Sequence, residues 1–134
     1  MLDKIIPKKI IHIFDLIRLD KPIGFMLLLW PCWFALAHIQ QNKFEQIEWY
    51  AYLFFGAFLM RSAGCIINDL VDIKLDRNVE RTANRPLTSN KVTILEAIVL
   101  LIFLLFLSFL ILLKFDFKAI LLGLASLPLI IIYP

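Results

Sequence analysis

Asn68, Asp69, Asp72 and Asp76, followed by Arg81 and Arg85, bring carboxylates, a carboxamide and guanidiniums together in one short stretch of the chain. If the segment from Asn68 to Asp76 is helical, Asn68, Asp72, Asp76 and Asp69 fall at roughly 0°, 40°, 80° and 100° around its axis. All four oxygen-bearing side chains then share one face. Stacked carboxylates repel and weaken an isolated helix. A hard divalent cation removes that repulsion, and Mg²⁺ is typically held by one or two carboxylates completed by substrate phosphates. Arg81 and Arg85 suit the other half of such a site, because a guanidinium binds phosphate through two parallel N–H groups. Pro86 is expected to end or turn the segment. Carboxylates with Mg²⁺ on one side and arginines on the other make a diphosphate cradle. The alternative that spacing leaves open is a solvated loop of mixed charge. A calcium-binding EF-hand is excluded, since no glycine stands where its loop needs one.

The surroundings of this stretch decide what could bring a phosphate to it. The chain has 134 residues, of which 61% are hydrophobic and 19% charged. Soluble domains are roughly 45–50% apolar, so the composition indicates a lipid-embedded protein. Four apolar segments are expected to cross a bilayer as helices, over about residues 22–39, 49–67, 92–113 and 117–133. The Asp-rich segment 68–91 follows the second. Ile10, Ile13, Phe14 and Ile17 recur at helical spacing among Lys9, His12 and Arg18, which predicts an interfacial helix over about 5–20, broken before Pro22. The fold class is therefore an all-α membrane protein with four transmembrane helices.

Lys and Arg set the direction. Ten of them flank the N-terminal arm and the Asp-rich segment, against three in the other connectors (Lys43, Lys114, Lys118). The N-terminus and the Asp-rich segment belong on the cytoplasmic or matrix side. Ala35-Leu36-Ala37 resembles a signal-cleavage site, but three further apolar segments and Trp30-Pro31-Cys32-Trp33 argue against one. Cys32 and Cys65 form no CxxC pair, and His12 and His38 are too far apart to suggest a metal cluster. Internal repeats are absent from the sequence.

Arg61 is the one charge inside the second apolar segment. Burying it costs roughly 2.5–3.5 kcal/mol on insertion scales. At roughly 20° it shares the acidic face, yet it lies about 10 Å from Asn68 along the axis and could also snorkel to the interface. A diphosphate cradle beside lipid-facing helices implies a substrate with a phosphate head and a hydrocarbon tail. The twelve Phe, three Trp and three Tyr supply walls for the tail or for a cationic intermediate.

The run Gly64-Cys65-x-x-Asn68-Asp69-x-x-Asp72-x-x-x-Asp76, followed by Arg81-Thr82-x-x-Arg85-Pro86-Leu87, resembles the first aspartate-rich motif of the UbiA family of membrane prenyltransferases. The opening Arg18-Leu19-Asp20-Lys21-Pro22-Ile23-Gly24, with Leu28-Leu29-Trp30-Pro31 downstream, is similar to the start of the family branch that acts on 4-hydroxybenzoate. The resemblance implies the first part of a nine-helix bundle in a bacterial or mitochondrial inner membrane. It implies transfer of a polyprenyl group from polyprenyl diphosphate to the ring of 4-hydroxybenzoate in ubiquinone synthesis. Asp69, Asp72 and Asp76 carry over as the catalytic acids, and Asn68, Asp72 and Asp76 as the Mg²⁺ set. Arg61, Arg81 and Arg85 carry over as contacts to the diphosphate or the aromatic carboxylate, with Arg18 the weaker match.

The family uses a second aspartate-rich motif, and nothing similar stands in these 134 residues. The expectation is a chain inactive alone, either truncated or joined by a separate chain supplying the C-terminal half. Competing readings are a prenyl transferase for another aromatic or haem, a divalent-cation transporter, and a membrane fragment without activity. Nucleic acid is not an expected partner.

Overall fold

The computed structural model describes residues 7–39, 47–76 and 78–132. Among them the fold is all-helical: α1 (Lys8–Leu16), α2 (Ile23–Ile39), α3 (Ile47–Val71), α4 (Ile73–Asp76), α5 (Ile94–Leu112) and α6 (Phe117–Ile132). α3 is the central element, packed against α2 on one side and α5 on the other.

Each contact has a local cause. Along α2 and α3 the seam is aromatic: Phe25 meets Phe54 and Phe58 edge-on, with ring centroids 5.5 and 5.7 Å apart. Trp33 donates its indole N–H to the Tyr50 carbonyl at 3.1 Å, a bond that pins α2 to α3. Pro31 interrupts no fold here. A proline inside a membrane helix is tolerated where neighbouring groups take up the freed carbonyls. α5 begins with a capping box in which Thr93 Oγ1 accepts from the Glu96 N–H and Glu96 returns the bond to the Thr93 N–H. Glu96 also pairs with Lys9, which fastens α1 to the start of α5. Ser62 and Ser108, buried within apolar helices, donate to the carbonyls four residues back. Neither hydroxyl is left without a partner.

The core lies toward the C-terminal end of α3. Leu16 of α1, Ala63 and Ile66 of α3, Leu87 and Val92 of the connecting segment, and Ala97 and Leu104 of α5 are buried together. Ala63 and Ala97 are almost fully enclosed. Small side chains at such positions let helix backbones approach closely. Away from this end the outer helix faces are apolar and exposed, as at Phe103, Leu122 and Phe117.

The expected elements are mostly found, with three differences. The interfacial helix is shorter than 5–20: α1 covers Lys8–Leu16, and residues 17–20 form a turn in which Arg18 adopts φ 53°. Positions 5 and 6 lie outside the described residues. The second helix starts earlier and reaches Val71, but it does not run unbroken to Asp76. It bends at Asp72 and resumes as α4. Asp72 N–H still bonds the Asn68 carbonyl (3.0 Å), and Asp76 N–H bonds the Asp72 carbonyl (2.8 Å).

The third difference concerns the four spans. Two helices are long and apolar enough to cross a membrane, Ile47–Val71 and Ile94–Leu112. α2 and the apolar part of α6 (Phe117–Leu129) are shorter. Only 28% and 11% of the apolar windows of the two long helices are buried within the structure. The core helix of a soluble protein would be mostly buried, so these faces are built to meet lipid or further apolar helices.

Ala97→Leu should overfill the enclosed core and lower stability by about 1–3 kcal/mol. A drop in the unfolding midpoint of the detergent-solubilised protein would show it. The same change at the exposed Val99 should leave that midpoint unmoved.

Candidate functional site

The site is organised around one buried carboxylate. Asp69, in the last turn of α3, is 2% exposed. Its Oδ1 accepts from Arg18 Nη2 at 2.8 Å and from Arg85 Nη1 at 3.1 Å. Arg85 Nη1 also donates to Asp76 Oδ2 at 2.6 Å. Three separate pieces of chain therefore meet at Asp69: the α1–α2 turn through Arg18, α3 itself, and the segment after α4 through Arg85.

The bend at Asp72 serves this convergence. Seven residues of straight helix would separate Asp69 and Asp76 by about 10 Å along the axis. With the bend, both carboxylates reach the same guanidinium nitrogen. The four charges Arg18, Arg85, Asp69 and Asp76 balance to zero. A buried carboxylate is tolerated only when it is paired and hydrogen-bonded in this way.

Arg85 is held by a tightly bonded segment. Thr82 Oγ1 donates to the Asp76 carbonyl (3.1 Å), and the Arg85 carbonyl accepts from the Ser89 hydroxyl and N–H at 2.8 and 2.9 Å. The Pro86 carbonyl accepts from the N–H groups of Lys91 and Val92. Leu87 plugs the core beneath. Pro86 thus turns the chain, as its type demands. At the other arginine, the left-handed conformation of Arg18 is uncommon for a residue with a side chain. It reverses the chain after α1, in the same turn that carries the side chain to Asp69.

Arg61 faces a different space. It lines a cavity of about 420 Å³ between the α1–α2 turn and α3, together with Arg18, Asp20, Lys21, Gly24 and Phe58. Among the described residues no ion pair is formed by Arg61 or by the exposed Arg81. Once the neutral cluster is set aside, Arg61, Lys21 and Arg81 are cations open to an anionic ligand. Asn68 and Asp72 are half-buried and one helical turn apart.

Of the positions singled out in sequence, Asp69, Asp76, Arg18 and Arg85 are joined directly. Arg61 sits on the cavity that Arg18 also lines. The expected layout of metal and carboxylates on one side and arginines on the other is corrected: Asp69 and Asp76 are themselves salt-bridged to arginines. Lys21 and Gly24 also line the cavity, and residue type alone does not single them out. Their signal was the stretch Asp20-Lys21-Pro22-Ile23-Gly24, read only as a resemblance.

Fit to a magnesium ion follows from the donors that remain. Among the described residues no group of three or more His, Cys, Asp or Glu is placed to hold an ion. Asp69 Oδ1 already accepts two hydrogen bonds, and Asp76 Oδ2 is taken by Arg85. Asn68 and Asp72 offer hard oxygens at one-turn spacing. That set fits an ion shared with substrate phosphates rather than one caged by protein alone.

Asp69→Ala should leave two guanidiniums without their shared anion. Because both arginines are about a quarter exposed (27% and 24%), solvent offsets part of the loss, and about 2 kcal/mol of destabilisation is expected. Hydrogen exchange should then quicken together in residues 17–21 and 82–92, the two segments that Asp69 joins.

Comparison with known proteins follows the same residues. Residues 28–134 match the model of the UbiA prenyltransferase family. The chain is 45% identical over 122 residues to a 4-hydroxybenzoate octaprenyltransferase of Vibrio vulnificus, covering 90% of this chain and 42% of that protein. It is 45% identical over 126 residues to the Citrobacter koseri protein of the same name, covering 94% and 43%. A mitochondrial 4-hydroxybenzoate polyprenyltransferase of Drosophila pseudoobscura is 42% identical over 121 residues, covering 90% and 30%. The chain thus spans less than half the length of these curated relatives. No solved structure matches it. With its aspartate-rich turn at the C-terminal end of α3 and a family match running from α2 through α6, this chain belongs to the UbiA prenyltransferase family.

Proposed function

We propose that this chain forms the diphosphate-binding part of a 4-hydroxybenzoate polyprenyltransferase of ubiquinone synthesis. The observation that carries the reading is the placement of the charged cluster. A neutralised charge cluster and a cavity lined by the open cations Arg61 and Lys21 share Arg18, beside helices whose outer faces are apolar. A polyprenyl diphosphate has the matching form, an anionic head on a hydrocarbon tail. The names of the relatives supply the acceptor, 4-hydroxybenzoate.

In this reading Asn68 and Asp72 would hold Mg²⁺, with Asp76 beside them. When bound, the ion neutralises the diphosphate and makes it a better leaving group. Arg81 binds phosphate oxygens, and Arg61 with Lys21 receives an anionic group in the cavity, while Arg85 is already engaged by Asp69 and Asp76. Asp69 and Asp76 hold Arg18 and Arg85 in place, so these cations need not reorganise when the substrate arrives. In the transfer, the allylic C–O bond breaks and its electron pair leaves with the diphosphate. A ring carbon of the acceptor bonds to the allylic carbon, and the ring then loses a proton. Phe25 and Phe58 wall the cavity against water.

The proposal includes four membrane crossings in a bacterial or mitochondrial inner membrane, with the cluster on the cytoplasmic or matrix side. It also places the remainder of the site in residues equivalent to those the longer relatives carry, supplied with this chain or by a separate one. A cation transporter fits less well. It would need acidic groups at mid-membrane, whereas these lie at the end of α3, and Asp69 and Asp76 are already neutralised by arginines.

Membranes holding this chain, with and without a separately supplied C-terminal half, should be given polyprenyl diphosphate, 4-hydroxybenzoate and Mg²⁺. Prenylated product is expected only when both halves are present, and chelation of the metal should abolish it. Asp72→Ala should lower the rate by about a hundredfold or more. Unchanged product formation in that variant would remove Asp72 from the metal set.

A further inference from the structure

Gly24 lies in the first turn of α2, directly opposite Arg61 of α3. A methyl group built on its Cα would stand 2.7 Å from Arg61 Nε, 3.0 Å from Nη2 and 3.3 Å from Cζ. The guanidinium therefore turns its Nε–Nη2 edge toward the α2 backbone, in space that any side chain at position 24 would take. Of the other glycines, Gly64 meets nothing within 4 Å, and Gly56 and Gly123 meet only the apolar side chains of Ile111 and Leu112. Close approach to a cation is thus particular to position 24.

Both residues line the cavity that also holds Arg18 and Lys21. Arg61 makes no ion pair or side-chain hydrogen bond among the described residues, so contact with α2 is what places it. The atoms that a Gly24 methyl would meet belong to the far end of a long side chain. Arg61 is exposed and can swing aside, which makes the substitution cheap for the fold and disruptive for the guanidinium.

We infer that Gly24 is a positioning residue: its missing side chain seats the Arg61 guanidinium on the cavity wall for an anionic substrate group, either diphosphate or aromatic carboxylate. This rests on the reading of Arg61 as an anion-binding residue. A site held about 1 Å out of place can lose as much as a hundredfold, so a single methyl at position 24 is enough to matter.

The test measures binding of inorganic diphosphate and, separately, of 4-hydroxybenzoate to the purified full chain and its assembled complex, by ligand protection against thermal unfolding. Gly24→Ala and Arg61→Ala should weaken the same anion by about tenfold each, and the double variant should be no worse than Arg61→Ala alone. The unliganded unfolding midpoint of Gly24→Ala should stay close to that of the parent. If Gly24→Ala folds poorly, Arg61→Ala on the same chain should restore it, because the methyl then has room. The anion affected identifies which group Arg61 receives. Loss of binding in Arg61→Ala with none in Gly24→Ala, or additive losses, overturns the role of Gly24. Unchanged binding of both anions in Arg61→Ala overturns the anion role of Arg61, and the inference with it.

Discussion

A carboxylate almost sealed from solvent must have its charge answered locally, and the answer given to Asp69 shapes everything around it. Arg18 comes from one side and Arg85 from the other, at 2.8 and 3.1 Å. Neither arginine is close to Asp69 in sequence, so the demand for neutrality is a demand on the path of the chain. It draws the α1–α2 turn over α3 and folds residues 78–92 back beneath α4. Arg18 accepts a left-handed backbone in that turn. Removing an isolated charge of this kind into a low-dielectric interior costs several kcal/mol. With two guanidiniums and Asp76 present, the group is neutral and can stay where lipid-facing helices end.

That neutrality divides the charges of the region into two sets. Arg18, Arg85, Asp69 and Asp76 satisfy one another. Arg61, Arg81 and Lys21 have no such partner among the described residues, and Asn68 and Asp72 keep their oxygens available. A phosphate headgroup with a divalent ion needs cations and hard oxygens that are already placed but not already neutralised. In the proposed function the second set supplies them.

Much of this organisation was legible in the residues, and the parts that were not have a common cause. The apolar runs mark α2, α3, α5 and α6 to within a few residues, because hydrophobic length is a local property. Helical spacing places Asp69 and Asp76 on one side of their helix, and Arg85 unites them. The bend at Asp72 and the turn at Arg18 were not visible. Both answer contacts between segments far apart in the chain, 51 residues in the case of Arg18 and Asp69. Periodicity carries no record of such a partner. Gly24 escaped for the same reason: a glycine two residues after a proline reads as a helix start, and only the approach of Arg61 gives it another meaning.

Asp69 and Asp72 look interchangeable in the motif, but their surroundings differ, and the proposed function gives them different work. A carboxylate oxygen has two in-plane lone pairs, and Asp69 Oδ1 directs both at guanidiniums. If the same oxygen had to bind a metal in each catalytic cycle, Arg18 and Arg85 would be released each time and their segments would lose their anchor. Asp72 stands at the bend, half-buried and clear of that cluster, with its backbone still bonded to Asn68. Ligation there disturbs none of the bonds that hold the site together. Under the proposed function the acid that anchors the fold and the acid that meets the ion are different residues, Asp69 within α3 and Asp72 just past its end.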